Sequence, residues 1–178
     1  MISTVIFILT LMTVTLAAVA DIYKRRIPNW LTAPAFFAGM AIHFFQSGWA
    51  GIFDSLLGFL IGFSIFFFLW LMGGKGAGDA KLIGAVGALL GYQQLLVAFV
   101  LIALVGGVMA ALYIFKHNAL YQAVSNIVQF PRHVKEQLSS RQFGRASGPL
   151  TLQSPTAIKF PYGVPIAIGT MLSFIVMK

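Results

Sequence analysis

Six apolar runs follow one another along the chain, at residues 2–20, 28–45, 52–72, 80–90, 95–115 and 160–177, and of the charged residues only Asp54 and Lys81 fall inside them. Five of the runs are about 18–22 residues long, enough to cross a hydrocarbon core of roughly 30 Å as helices. The fourth, at about 1.5 Å of rise per residue, reaches only half that distance. Charge decides whether it crosses. If it does, segments 21–27, 73–78 and 116–159 share one side, and 46–51 and 91–94 share the other. Eleven of the 12 Lys and Arg then lie on or within one turn of the first side, with Lys178 alone opposite. If it does not, the long basic segment 116–159 faces outward, against the excess of basic residues expected in cytoplasmic loops. The expected architecture is an all-α membrane protein of six transmembrane helices in one domain. The 73–79 loop is expected to dip into the membrane and shorten the fourth span.

Composition agrees. Apolar residues make up 59% and charged residues 9% of the 178, whereas soluble domains sit nearer one-half and one-quarter, roughly. The net charge of +8 would point to nucleic acid in a soluble protein. Here the basic residues lie in short blocks between apolar runs, which suits a cytoplasmic membrane face and not a nucleic-acid partner. Residues 2–20 are not read as a cleaved signal, because the basic cluster Lys24, Arg25 and Arg26 follows the apolar stretch instead of preceding it. A retained first span then places the N-terminus outside. Within the cytoplasmic loop 116–159, Leu120, Val124, Ile127 and Val128 recur at helical spacing, as in an amphipathic helix lying on the bilayer surface. There is no cysteine, which excludes disulfides, thiol nucleophiles and cysteine-ligated zinc.

The chain has 4 acids, Asp21, Asp54, Asp79 and Glu136. Acids at membrane depth are costly and tend to be functional. Asp21 closes the first run and Asp79 opens the fourth, so the topology puts both on the same side at similar depth. Two carboxylates held close together do not both ionise easily and retain one shared proton. The charged member deprotonates a water, and the neutral member hydrogen-bonds the carbonyl under attack. No cofactor or metal is needed. The scattered His43, His117 and His133 offer no ligand spacing. Four glycines fall in the seven residues from Gly73 to Asp79, where freedom at positive φ and close backbone approach allow a sharp bend. Asp79 is expected at or near the cap of the following helix. Asp54 reads as an N-cap of the third span on the far side, and Glu136 as a solvated loop residue. Lys75 and Lys81 read as headgroup anchors. Gly58, Gly62, Gly84, Gly87 and Gly91 read as positions of close helix packing.

The stretch Gly76-Ala77-Gly78-Asp79 matches the GxGD motif of intramembrane aspartyl proteases. Asp21 followed by Ile27-Pro28-Asn29, the spacing of 58 residues, the Lys81-Leu82 flank and Pro161-Tyr162-Gly163 at the last span together resemble the type IV prepilin peptidase family. That resemblance implies catalysis by Asp21 and Asp79 and an active-site loop shaped by Gly76 and Gly78. It also implies accessory roles for Pro28, Asn29, Lys81, Pro161, Tyr162 and Gly163. The implied reaction is cleavage of a short basic leader from a prepilin or pseudopilin at the cytoplasmic face of the bacterial inner membrane. Larger members carry a cytoplasmic segment with paired cysteines, associated with N-methylation. Neither is found in this sequence, so the expectation is a short peptidase of the Flp (tight-adherence) or preflagellin type without methyltransferase activity. The same aspartates would also serve another GxGD protease, or a small ion or proton transporter built on the broken fourth segment.

Overall fold

A computed structural model of the chain describes residues 2–71, 76–116 and 162–177. Among these lie six helices and no strand: α1 (Ile2–Lys24), α2 (Asn29–Ser47), α3 (Trp49–Leu71), α4 (Ala77–Leu90), α5 (Tyr92–Lys116) and α6 (Gly163–Val176). Lys75, Pro161, Glu136, His117, His133 and the amphipathic stretch 120–128 lie outside the described residues.

Local chemistry sets the helix ends. In α1 the helix runs past the apolar stretch to Lys24, so Asp21 sits in its last turn instead of beyond it. Arg25 then adopts a left-handed φ of 50°, and its N–H donates to the Asp21 carbonyl at 2.9 Å. Pro28, with φ −75° and ψ 141°, precedes α2 as its N-cap, a place where the lost N–H costs nothing. Gly48 (φ 60°) and Gly91 (φ 75°) each make a one-residue turn, joining α2 to α3 and α4 to α5. A side chain at either would be strained in that conformation. Gly91 is therefore both a turn and a position of close packing, since a Cβ there would overlap the Asp54 carboxylate. Helix α4 starts at Ala77, so of the expected 73–79 loop residues 77–79 are already helical.

The short α4 is the centre of the bundle. Asp79, Ala80 and every residue from Leu82 to Leu90 are buried. Leu82, Ile83, Val86 and Leu90 form one apolar core with Val14 and Ala17 of α1, Leu31 of α2, Phe66 of α3, Leu95 and Ala98 of α5 and Ile166 of α6. Glycines let the neighbouring backbones come close. A Cβ on Gly58 would overlap the Gly87 carbonyl, one on Gly62 the Ile83 carbonyl, and one on Gly39 the Ala88 carbonyl. Ser55 of α3 donates to the Ala88 carbonyl at 2.8 Å inside this contact. Between helices in lipid the attraction is packing and hydrogen bonding, since the tails are as apolar as leucine. Small residues at the seam are what make that packing dense.

The outside of the bundle is apolar. Met12, Phe68, Val100, Leu104 and Leu112 stand with more than half of their surface open, a surface that matches hydrocarbon and not water. Among the described residues three helices are long and apolar enough to cross a membrane, at Thr4–Lys24, Trp49–Trp70 and Tyr92–Lys116. Five runs were expected to be long enough. The other two differ for separate reasons: α2 has 19 residues but includes Asn29, Thr32, Pro34, His43 and Gln46, and α6 is described for 14 residues. Gly58→Ala is expected to lower stability by about 1–3 kcal/mol by forcing α3 off α4. Gly107→Ala, where an added Cβ meets nothing within 4 Å, should be neutral. Thermal unfolding of both variants in the same detergent checks this, and equal midpoints would contradict the packing described.

Candidate active site

Asp21 and Asp79 are both buried, each at 8% exposure. They lie at helix ends that meet at one end of the bundle, the C-terminal turn of α1 and the N-terminal turn of α4. Asp79 occupies the third position of α4, not its cap: Gly76 is the N-cap residue. From there the carboxylate reaches back, and its Oδ2 accepts the Gly76 N–H at 3.3 Å. The Asp79 N–H donates in turn to the Gly76 carbonyl at 3.1 Å. This is half of a capping box, the other half being impossible because glycine has no side chain. Negative charge in a first turn is favoured by the free N–H groups and the helix dipole.

The second acid is held from the far end of the sequence. Asp21 Oδ2 accepts the backbone N–H of Gly163, the first residue of α6, at 2.8 Å, across 142 residues of chain. A side chain there would be tight. A Cβ on residue 163 would lie 3.0 Å from the Asp21 Cβ, 3.1 Å from its Oδ2 and 3.3 Å from the Ala18 Cα. The dipeptide Tyr162-Gly163 thus opens α6 against this acid, with Tyr162 as the N-cap residue and the Gly163 N–H on Asp21. From the sequence this glycine reads equally well as a kink; its contact with Asp21 depends on where α6 docks.

The remaining site residues divide. Gly78 packs its backbone against Ile27, with an added Cβ only 3.3 Å from the Ile27 Cβ. Gly76 is extended, with φ −80° and ψ 143°, a conformation open to any residue. The expected use of positive φ is therefore absent at Gly76. Close approach, at Gly78, is what the turn exploits. Lys81 is not only a headgroup anchor: its Nζ donates to Asn29 Oδ1 at 2.9 Å and ties α4 to the start of α2. Pro28 stands just before that asparagine as the α2 cap.

Asp54 lies at the opposite end of the bundle and does not cap α3, which begins at Trp49. Its Oδ1 accepts the Tyr92 N–H at 3.2 Å and so caps α5. Its Oδ2 is 3.6 Å from Nδ1 of the buried His43, whose Nε2 lies 3.1 Å from the Leu89 carbonyl. With a carbonyl as partner, Nε2 is the donor. The correction has a simple cause. An acid one and a half turns into its own helix is too far in to cap it, but it is well placed for the free N–H of a neighbour.

Against known proteins, the model of the type IV leader peptidase family matches residues 7–111. A prepilin leader peptidase/N-methyltransferase of Aeromonas hydrophila is 32% identical over 105 residues, covering 55% of this chain and 36% of that protein. The enzyme of the same name from Aeromonas salmonicida strain A449 is 33% identical over 95 residues, covering 49% and 32% respectively. The chain therefore spans about a third of the length of these curated relatives. No solved structure matches it.

The α1–α6 contact is directly measurable because the chain has no cysteine of its own. Asp21→Cys with Gly163→Cys should form a disulfide on mild oxidation after α1 and α6 part by about half an ångström, since a Cβ at 163 would lie 3.0 Å from the Asp21 Cβ and disulfides use about 3.5–4.5 Å. Thiol mass-tagging should then add no tag, whereas an Asp54→Cys/Gly163→Cys pair adds two. Tagging of both cysteines in the first variant would remove the contact.

Proposed function

The chain belongs to the type IV leader peptidase family, and from that premise we propose that it is a membrane aspartyl endopeptidase that removes the short basic leader of a type IV prepilin or pseudopilin. The observation that carries the reading is the burial of Asp21 and Asp79 at one end of the bundle, with the start of α6 hydrogen-bonded to Asp21. Two acids far apart in sequence are gathered there, and a third element from a different part of the chain rests on the first of them. A purely structural acid, such as Asp54, is instead accounted for by the helix end it caps.

In the proposed reaction the pair Asp21 and Asp79 shares one proton. The ionised member takes a proton from water as it attacks the scissile carbonyl. The protonated member donates a hydrogen bond to the carbonyl oxygen and stabilises its developing charge. Collapse of the tetrahedral intermediate then passes a proton to the leaving amine. The two protonation states belong to the pair, not to either residue. Gly76 and Gly78 keep the turn beside Asp79 slim, and Pro28 and Asn29 start α2 alongside it.

The proposal places a single domain of six spans in the bacterial inner membrane, with the N-terminus outside. Alternating helix directions support that topology. Asp21, Asn29, Lys81 and Gly163 gather at one end of the bundle, while His43, Asp54, Leu89 and Tyr92 gather at the other. The basic residues that flank the first end support a cytoplasmic position for the acids, near anionic lipid. Resemblance to the short peptidases makes Flp-type prepilins the substrates to try first. The proposal covers leader cleavage alone.

Co-expression with candidate prepilins tests it. Asp21→Asn and Asp79→Asn should each slow processing by about 10²–10⁴-fold while leaving the protein inserted. Asp54→Asn should leave the reaction running. Processing at the parental rate by either of the first two variants rejects the dyad.

A further inference from the structure

One groove in the bundle is not used by the chemistry above. It lies between α2, α3 and α4, has a volume of about 440 Å³, and is lined by Phe36, Phe59, Phe63 and Ala85 below a polar mouth of Asn29 and Lys81. That volume falls within the range of about 300–1,000 Å³ usual for ligand pockets. We propose that this groove seats the apolar segment of the substrate that follows the scissile bond, and that Lys81 at its mouth keeps the basic leader out. The proposal rests on the peptidase reading and adds to it a substrate-binding site and the direction in which the substrate chain lies.

Position comes first. Lys81 and Ala85 follow Asp79 along α4 by two and six residues, or roughly 3 and 9 Å of rise. Residues two apart on a helix face different ways. The groove therefore opens on the α2–α3 side of α4, while Asp79 lies on another face of that helix. A chain leaving the acids reaches the groove by crossing the start of α4 over Gly76 and Gly78. Among the described residues, a Cβ at Gly76 would meet nothing closer than the Asp79 carboxylate at 3.5 Å. Packing against the described residues therefore does not demand glycine there, and a crossing chain gives that thin turn a use. From the crossing down to Ala85, about three extended residues or six helical ones fill the distance.

Chemistry decides which half of the substrate enters. The floor is aromatic: Phe36 and Phe59 meet with centroids 4.6 Å apart, and Phe59 stacks on Phe63 at 5.5 Å. Gly84 lets the Phe59 ring settle on α4, since a Cβ there would be 3.0 Å from the ring. Such a floor suits aliphatic and aromatic side chains. At the mouth, the Lys81 ammonium bonds to the neutral Asn29 amide at 2.9 Å, a partner that leaves its charge uncompensated. A leader rich in Lys and Arg is repelled there, and an apolar segment is not. The same cation thus selects against one polarity of the substrate chain.

The test uses the full chain in membranes with a prepilin substrate. A photoactivatable phenylalanine analogue replacing Ala33, an exposed residue lining the groove, should cross-link to the first residues after the cut. Ala33→Trp should raise KM about tenfold more than it changes kcat. A substrate given two lysines just after the cut should be processed at least about tenfold more slowly, and Lys81→Glu should recover most of that loss. Adducts only with the leader, with phospholipid or with a second copy of the chain overturn the proposal. So does an unaltered KM in Ala33→Trp, or a lysine penalty that Lys81→Glu does not relieve. Failure of the wild-type chain to cleave any prepilin would remove the peptidase reading itself, whereas normal cleavage with an unaltered KM removes the groove alone.

Discussion

A 14-residue helix, about 21 Å long, cannot reach across a bilayer with its ends in water. Everything else in the bundle follows from how α4 avoids that difficulty. It is sheathed by α1, α2, α3 and α5, so it is enclosed by protein and not by lipid. At its C-terminal end the next helix begins after a single glycine, and the start of that helix is capped by Asp54. At its N-terminal end, Asp79 lies in the first turn among backbone groups that need partners. Unsatisfied polar groups in hydrocarbon cost several kcal/mol each, roughly. A short central helix therefore requires polar side chains at both ends, and the two ends of α4 have them.

The two ends use their acids differently. Asp54 is committed: one oxygen caps α5 and the other faces a buried histidine that also meets the Leu89 carbonyl. At the other end Asp21 accepts an N–H from α6 and Asp79 one from the turn before its own helix. One acid thus serves a neighbouring helix end and a histidine, while the other two come to the same end of the bundle from different helices.

Much of this was legible in the residues. The apolar runs and their charge alternation led to helices in the right places, with ends off by a few residues. The small residues on α3 and α4 led to the close seam, because only glycine permits carbonyl-to-backbone contact there. The two aspartates stood out because acids are rare in such a chain and both fall at the ends of apolar runs. Other features were not legible. The cap role of Asp54 requires knowing that α5 starts beside α3. The tie between Lys81 and Asn29 spans 52 residues. In each case the partner is distant in sequence, and local spacing carries no trace of it.

What the sequence determined by itself is the solvent and the direction of the helices. Hydrophobicity and charge are properties of side chains wherever they lie, and a bilayer reads both directly. What only the tertiary structure decided is the company each polar group keeps. That a side chain at Gly163 would crowd Asp21, and that the Gly163 N–H reaches that acid, depends on how α6 docks on α1 and α5. Docking is a matter of shape matching among surfaces that are all apolar, and no pattern within any one segment encodes it.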